Sequence, residues 1–352
     1  MNVDAAISLL EKLIATPSLS RHEDATADVL MDHLQASGIT AQRVLNNVWA
    51  MAENYDPKKP TLLLNSHHDT VKPSASYTIG PFTPLRRDGK IYGLGSNDAG
   101  ASVVALIAVF EALYKTSLSV NLVLGLSAEE EVSGTNGIEA LLRQFGQEGI
   151  KIDMAIVGEP TSLQPAVAER GLLVLDCVAH GIAGHAARNE GVNAIYKAIS
   201  DIERIRNMKF ERISPTLGDI KISVTQIEAG TQHNVLPDVC RFVADVRTTD
   251  AYTNSDTAEL IASAVESEVR PRSTRLNASV IEASHPLVKA AVRLGLKPFV
   301  SPTLSDRSLM HGIAALKIGP GDSCRSHTAD EFVYEQQIAD AINIYQQLIL
   351  SL

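Results

Sequence analysis

Three short apolar runs in this chain end in the same way, and no other feature constrains its fold as tightly. Val120-Asn121-Leu122-Val123-Leu124-Gly125-Leu126 leads into Ser127-Ala128-Glu129-Glu130-Glu131-Val132-Ser133-Gly134. Thr61-Leu62-Leu63-Leu64-Asn65 leads into Ser66-His67-His68-Asp69, and Met154-Ala155-Ile156-Val157-Gly158 into Glu159-Pro160-Thr161. Apolar runs of this length, bounded by acidic residues and Gly, read as buried strands. In open α/β sheets the chemistry sits at the carboxyl ends of the strands. As neighbouring parallel strands, these three would bring His67, Asp69, Glu130, Glu131 and Glu159 to one edge. Carboxylates crowded there must be protonated or neutralised by a cation. Imidazole together with carboxylate suits zinc or a related divalent ion. Any one of these residues is equally an ordinary polar residue at a strand end; three strands ending alike point to a site.

Around these runs the pattern is that of an α/β domain with an insertion. Ile7, Leu10, Leu13 and Ile14 recur at helical spacing up to Pro17, and Ser20-Arg21-His22-Glu23 has the form of a capping box opening a second helix that stops at Gly38. Residues 44–52 read as a strand. Tyr92 to Ala101 is a loop entering a helix, Ser102 to Leu113, that is apolar nearly all round and hence buried, with Asp98 placed to cap it. Gly93 and Gly95 do not make a phosphate loop, because neither G-x-G-x-x-G nor a following Lys-Ser/Thr is present.

After Glu159 the character changes. Strand (168–178), helix (192–205), two strands (220–227 and 239–246), helix (257–269) and strand (276–280) follow in the order of a ferredoxin-like α+β unit. At 352 residues the chain exceeds one hydrophobic core. The expectation is therefore an α/β domain made of 1–166 and 280–352, with 167–279 inserted as a second domain. From His285 the α/β pattern returns: a helix from Pro286, the Ser305-Asp306 turn, a strand from Ala314, Gly319-Pro320-Gly321 and a closing helix from Glu335.

A formal net charge of -10 argues against nucleic acid and anionic membranes as partners. No apolar run reads as a membrane span and Met1-Asn2-Val3-Asp4 lacks the basic start of a signal peptide, so a cytoplasmic location is expected. Cys177, Cys240 and Cys324 are far apart and odd in number, which fits reduced thiols.

With His67-x-Asp69, Asp98, Glu130-Glu131, Glu159 and a late His327 in this order, the sequence resembles the M20 family of dinuclear zinc amidohydrolases, which includes acetylornithine deacetylase, succinyl-diaminopimelate desuccinylase, aminoacylase and carboxypeptidase G2. The likeness spans the chain: Gly181-Ile182-Ala183-Gly184-His185-Ala186 looks like the family's GxxGHxx, and Asn234-Val235-Leu236-Pro237 like its NxxP. The resemblance implies a doubly wound catalytic domain that binds metal and an inserted dimerisation, or lid, domain. It implies two divalent ions per subunit, Zn²⁺ first and Co²⁺ or Mn²⁺ next. His67 and Glu159 would bind one ion, Glu131 and His327 the other, and Asp98 would bridge them. Two such ions against Asp98, Glu131, Glu159 and one hydroxide give a neutral cluster, which suits a buried cleft. Asp69 would orient His67. Glu130 would take a proton from the water between the ions and hand it to the leaving amine.

The family spacing selects His67 over His68. Val132 and Gly134 set the register of the acidic triplet, with Glu129 where the family has Asp, and Gly100 stands where it often has Lys. His185 would reach the active site of a partner subunit as an oxyanion donor. Asn234 and Arg247 would hold the substrate α-carboxylate; the alternative for Arg247 is a pairing with Asp245 or Asp250 alone. The implied activity is hydrolysis of an N-acyl-L-amino acid of the N-acetyl- or N-succinyl-ornithine, -citrulline or -lysine type, which belongs to amino-acid and specifically arginine biosynthesis. A dipeptidase or carboxypeptidase on the same scaffold, or a non-catalytic amino-acid-binding relative, are the alternatives.

Overall fold

The computed structural model describes residues 1–188 and 190–352, and its chain divides into two units, one of 1–167, 281–299 and 305–352 and one of 168–280 and 300–304. The first begins with α1 (Val3–Ala15), α2 (Asp24–Ala36), β1 (Ala41–Val44), β2 (Asn47–Met51), β3 (Thr61–His67), β4 (Leu85–Arg87), β5 (Lys90–Tyr92), α3 (Ala101–Leu113), β6 (Asn121–Ser127), α4 (Ile138–Gln147) and β7 (Met154–Val157). β8 (Ala166–Glu169) leads into β9 (Gly171–His180), β10 (Gly184–His185), α5 (Ala194–Asn207), β11 (Lys221–Ala229), β12 (Val235–Leu236), β13 (Val239–Thr248), α6 (Asn254–Ala264), β14 (Glu268–Pro271) and β15 (Ser279–Val280). The chain ends with α7 (Pro286–Arg293), β16 (Phe299–Ser301), β17 (Ala314–Lys317), β18 (Phe332–Tyr334) and α8 (Glu335–Leu350).

In the first unit the three apolar runs are adjacent parallel strands, in the order β6-β3-β7 with β17 beyond β7 and the antiparallel β2 and β1 beyond β6. Their register sets Asn65 opposite both Gly125 and Val157, and His67 opposite Ser127, so the polar tails emerge together. Every residue of β3 and β6 is buried, because helices cover both faces. Leu62, Leu64, Leu122 and Leu124 join one core with residues of α1, α2, α3 and α8. On the opposite face a methyl group on Gly125 would lie 2.7 Å from Leu141 of α4 and 2.9 Å from Leu63, so the helix seats directly on the strand. The sheet is doubly wound, as the continuous apolar runs imply.

Several local expectations change. Residues 44–52 are not one strand: Leu45 takes a left-handed φ of 54° and turns the chain between β1 and β2. α2 has no capping box, since its N-cap Glu23 makes no side-chain cap and Ser20 Oγ donates 2.7 Å to Asp69. Asp98 does not cap α3 either. The stretch Ser96–Leu113 is long and apolar enough to cross a membrane, contrary to the reading that no run qualifies, but 83% of it is buried within the fold. Its apolar character follows from burial on all sides, which leaves the helix no polar face.

In the second unit β11-β13-β9-β14 form an antiparallel sheet. Leu173, Leu175, Cys177, Phe242 and Ala244 pack on Ala194, Ala198, Ile205 and Ile261 of α5 and α6. Chain order and spatial order together are those of the ferredoxin-like motif. Its last strand, however, is Glu268–Pro271 rather than the expected 276–280, and α6 stops at Ala264. Asp201 explains the break: its carboxylate accepts from the amides of Glu266 and Ser267 and from Ser267 Oγ, which turns the chain into β14. Ser279–Val280 pairs instead with Ala168 and Glu169 of β8.

Candidate active site

Where β3, β6 and β7 end, the polar tails converge as their register requires. His67 is 1% exposed, and its Nδ1 donates to the Asp69 carbonyl at 3.1 Å, which leaves Nε2 facing the other tails. That Nε2 lies 3.2 Å from Asp98 Oδ1, 3.8 Å from Glu159 Oε1 and 3.9 Å from Glu130 Oε2. Asp98 turns its second oxygen to the other histidine, 3.7 Å from His327 Nε2, and His327 also lies 2.9 Å from Glu131 Oε2. One carboxylate thus stands between two imidazoles, each with a further glutamate beside it. His68 is excluded by direction, because its ring faces Thr26 Oγ1 and the Asn46 carbonyl. Burial lowers His68 to a pKa of about 4, so it is neutral there.

The acidic turn is held by its own backbone. Asp69 accepts from the amides of Glu130 and Glu131 at 3.0 and 3.2 Å, whereas its carboxylate is 3.5 Å from His67 Nδ1. It therefore sets the acidic turn at least as directly as it orients His67. Glu129 adopts φ 55°, strained for a residue with a side chain, and its amide donates to Glu23 at 3.2 Å. Gly134 leaves room for the turn, because a Cβ there would fall 2.6 Å from Glu129 Cβ. His327 is likewise left-handed, at φ 60°.

The electrostatics are those of crowded charge. Burial pushes the Glu159 carboxyl up to about 8, with Asp98 adding to the shift against His67 and Lys317. Burial also holds Glu130 well above the usual carboxylate range, opposed by His67 and reinforced by Glu159, Asp306 and Glu131. Burial alone would lower His67, but Asp69, Asp98, Glu130 and Glu159 outweigh it and hold the imidazole well above its ordinary value. The hydrogen bond to Glu131 raises His327 to about 9. Anions relieved by protonation, beside imidazoles held as cations, are the pattern of a cation site before its ions bind. The donor atoms of His67, Glu130 and Glu159 all lie within 4.8 Å of one another, as do those of His67, Asp98 and Glu131. The set fits divalent ions with a preference for nitrogen and oxygen.

Two buried acids here were not singled out from sequence as site residues. Asp306 accepts 2.5 Å from Ser127 Oγ at the end of β6, and burial pushes it up to about 7. Glu331, in the box around His327, accepts from the amides of Gly95, Asn97 and Asp98. The signal for Glu331 was its place in that box; for Asp306 it was only an acid in a turn before an apolar strand. Of the residues assigned to substrate, Asn234 and His185 adjoin in the β10–β12 ribbon of the second unit, where Ala186 N donates to the Asn234 carbonyl and His185 pairs with Val235. Arg247 lies elsewhere in that unit, at the end of β13, and holds Asp245 at 2.8 and 3.1 Å.

The family model described as peptidase family M20/M25/M40 matches residues 63–351. A succinyl-diaminopimelate desuccinylase of Delftia acidovorans is 25% identical over 98% of this chain and 97% of its own. An acetylornithine deacetylase of Pectobacterium carotovorum is 27% identical over 99% and 98%. Among solved structures, the aminopeptidase PepT of Bacillus cereus superposes with a TM-score of 0.78 at 18% identity, covering 100% of this chain and 99% of that one. The Bacillus subtilis YXEP protein, a dinuclear metal binding peptidase, does so at 0.73 and 17%, covering 99% and 97%.

Proposed function

The chain belongs to peptidase family M20/M25/M40, and from that membership and the geometry at the strand ends we propose that it hydrolyses the amide bond of an N-acyl-L-amino acid. The observation that carries the reading is Asp98, whose two oxygens face His67 and His327. On this reading His67 and Glu159 would hold one divalent ion, Glu131 and His327 the other, and Asp98 would serve both; the imidazole and carboxylate donors would suit zinc. Ions bound there would polarise the scissile carbonyl and lower the pKa of water towards neutrality.

The remaining chemistry falls to the chain's own side chains. Glu130 is half-buried beside the charges of Glu131, Glu159 and Asp306, which with desolvation hold its carboxyl above the usual range, so its carboxylate is basic enough to take the proton of the attacking water and return it to the leaving amine. Its amide is fixed by Asp69. Arg247 receives the substrate carboxylate, and the β10–β12 ribbon of a second copy of the chain brings Asn234 to that carboxylate and His185 to the carbonyl oxygen, where it donates as negative charge develops. The acyl class is supported by relatives named for removing succinyl and acetyl groups. Turnover of N-acetyl- and N-succinyl-ornithine, -citrulline and -lysine with added Zn²⁺ or Co²⁺, measured beside a dipeptide panel, tests it. Hydrolysis of dipeptides with none of the acyl amino acids would replace it by a peptidase on the same scaffold.

A further inference from the structure

Asp98 sits in a segment whose conformation is imposed from outside. Gly95 before it is left-handed at φ 76°, and Asp98 and Ala99 depart from helical angles before α3 begins. Three of its amides point at one buried carboxylate: Gly95 N donates to Glu331 Oε2 at 3.1 Å, while Asn97 N and Asp98 N donate to Oε1 at 2.8 and 2.9 Å. The main chain of Glu331 closes the same loop, its carbonyl accepting from Gly93 N at 3.0 Å. Glu331 is 2% exposed. It lies four residues beyond His327, so one short segment supplies an imidazole to Asp98 Oδ2 and an acceptor to the Asp98 amide.

We propose that Glu331 is a positioning residue that fixes Asp98 between the two cation positions, so that its loss weakens and uncouples the ion pair without removing a ligand. The inference rests on the dinuclear reading of Asp98. A carboxylate that accepts three amides defines the position and tilt of the peptide bearing the shared ligand, and partners of this kind typically account for 10–100-fold in metal affinity. The neighbouring Asp330 supplies the contrast. It grips a different loop, accepting from Thr78 N, Thr78 Oγ1 and Ile79 N at 2.9, 2.5 and 3.0 Å, so its loss loosens the same segment without releasing Asp98.

The test is Mn²⁺ titration of the ion-free protein, wild type and Glu331→Gln, Glu331→Ala and Asp330→Asn, followed by calorimetry and by electron paramagnetic resonance. Wild type should take two Mn²⁺ and show the signal of an exchange-coupled pair. Glu331→Ala should bind the second ion about 10–100-fold more weakly and lose the coupled signal. Glu331→Gln, which keeps an acceptor for Asn97 and Asp98 but turns a donor to Gly95, should fall between, and it carries the test if the Ala variant does not fold. Asp330→Asn should melt lower yet keep both affinity and coupling. Unchanged second-ion affinity in folded Glu331 variants, or equal losses in Asp330→Asn, would overturn the proposal. A wild type without a second ion or a coupled signal would instead remove the dinuclear reading, and the inference with it.

Discussion

Replacing Asp69 by Asn isolates what holds the acidic turn. The side chain is fully buried and accepts from Ser20 Oγ, Glu130 N and Glu131 N. An amide of the same shape has one acceptor oxygen and one donor nitrogen. If the oxygen serves Glu130, the nitrogen faces Glu131 N; if it is flipped, Glu130 N loses its acceptor. Ser20 can rotate and accept, so one backbone amide is orphaned in either case, at about 1–3 kcal/mol. The surviving bonds lose charge assistance, about 1 kcal/mol more, for a total of about 2–4 kcal/mol. For a unit of this size that corresponds to about 5–15 °C in Tm, read by thermal unfolding of the ion-free protein. Burial pushes the Asp69 carboxyl up, but His67, Ser20 and the Glu130 amide outweigh it and hold the pKa below its ordinary value. A depressed pKa contributes stability that is present above the unfolded value of about 4 and is lost as pH falls through the folded one. The deficit of the variant should therefore be flat from about pH 6 to 8 and shrink only below about pH 4. A variant that melts within about 1 °C of wild type would show that Asp69 does not hold the turn.

Glu130→Gln should retain bound metal yet lower kcat by about 10²–10⁴-fold; an unchanged kcat removes Glu130 from the proton transfer. Because burial pushes Glu159 up to about 8 and the carboxylates hold His67 above its usual range and His327 at about 9, ion binding at these residues would displace protons, so metal affinity should climb with pH up to about 9. Calorimetry in buffers of different ionisation enthalpy measures that release, and none at pH 7 refutes it. Arg247→Ala should weaken substrates with a free α-carboxylate, but not their amides, by roughly ten- to a hundred-fold; equal losses would mean that Arg247 serves only its bond to Asp245. His185→Ala and Glu130→Ala should each be almost inactive alone. In a mixed dimer one site regains both groups, so about a quarter of wild-type activity should return on subunit exchange. Exchange without recovery would show that His185 does not act across subunits.

The convergence of the three polar tails was legible because buried parallel strands leave a distinctive trace: continuous apolar runs, each with a polar tail. What the runs could not reveal is which tail residues ligate and which only hold backbone. Ser20 and Glu23 spell a capping box, yet each makes a tertiary contact instead, Ser20 with Asp69 and Glu23 with the Glu129 amide. A local motif and a long-range hydrogen bond need the same residue types, so spelling alone cannot separate them. The misplaced last strand of the second unit has the same origin: Asp201, sixty-five residues away in sequence, ends α6 there by taking the Glu266 amide.

The same division explains how so many acids share one edge. Glu23, Asp69 and Glu331 are not presented to ions; they accept backbone amides from Glu129, from Glu130 and Glu131, and from the Asp98 loop. An amide hydrogen is a fixed partial positive charge that offsets part of a carboxylate's charge. For Asp69 the Glu130 amide, with His67 and Ser20, outweighs burial, whereas for Glu331 burial and the nearby Asp98 win over its three amides and push the carboxyl up to about 8; in each case the acid fixes the main chain of an edge residue or of its neighbour. On the proposed reading the fold would place the ligands before any ion arrives, with His67, held well above its ordinary pKa, standing in for the missing charge. Binding would then exchange protons for metal without having to assemble the site, which is the condition for ions that must be held at a set spacing to act on one carbonyl.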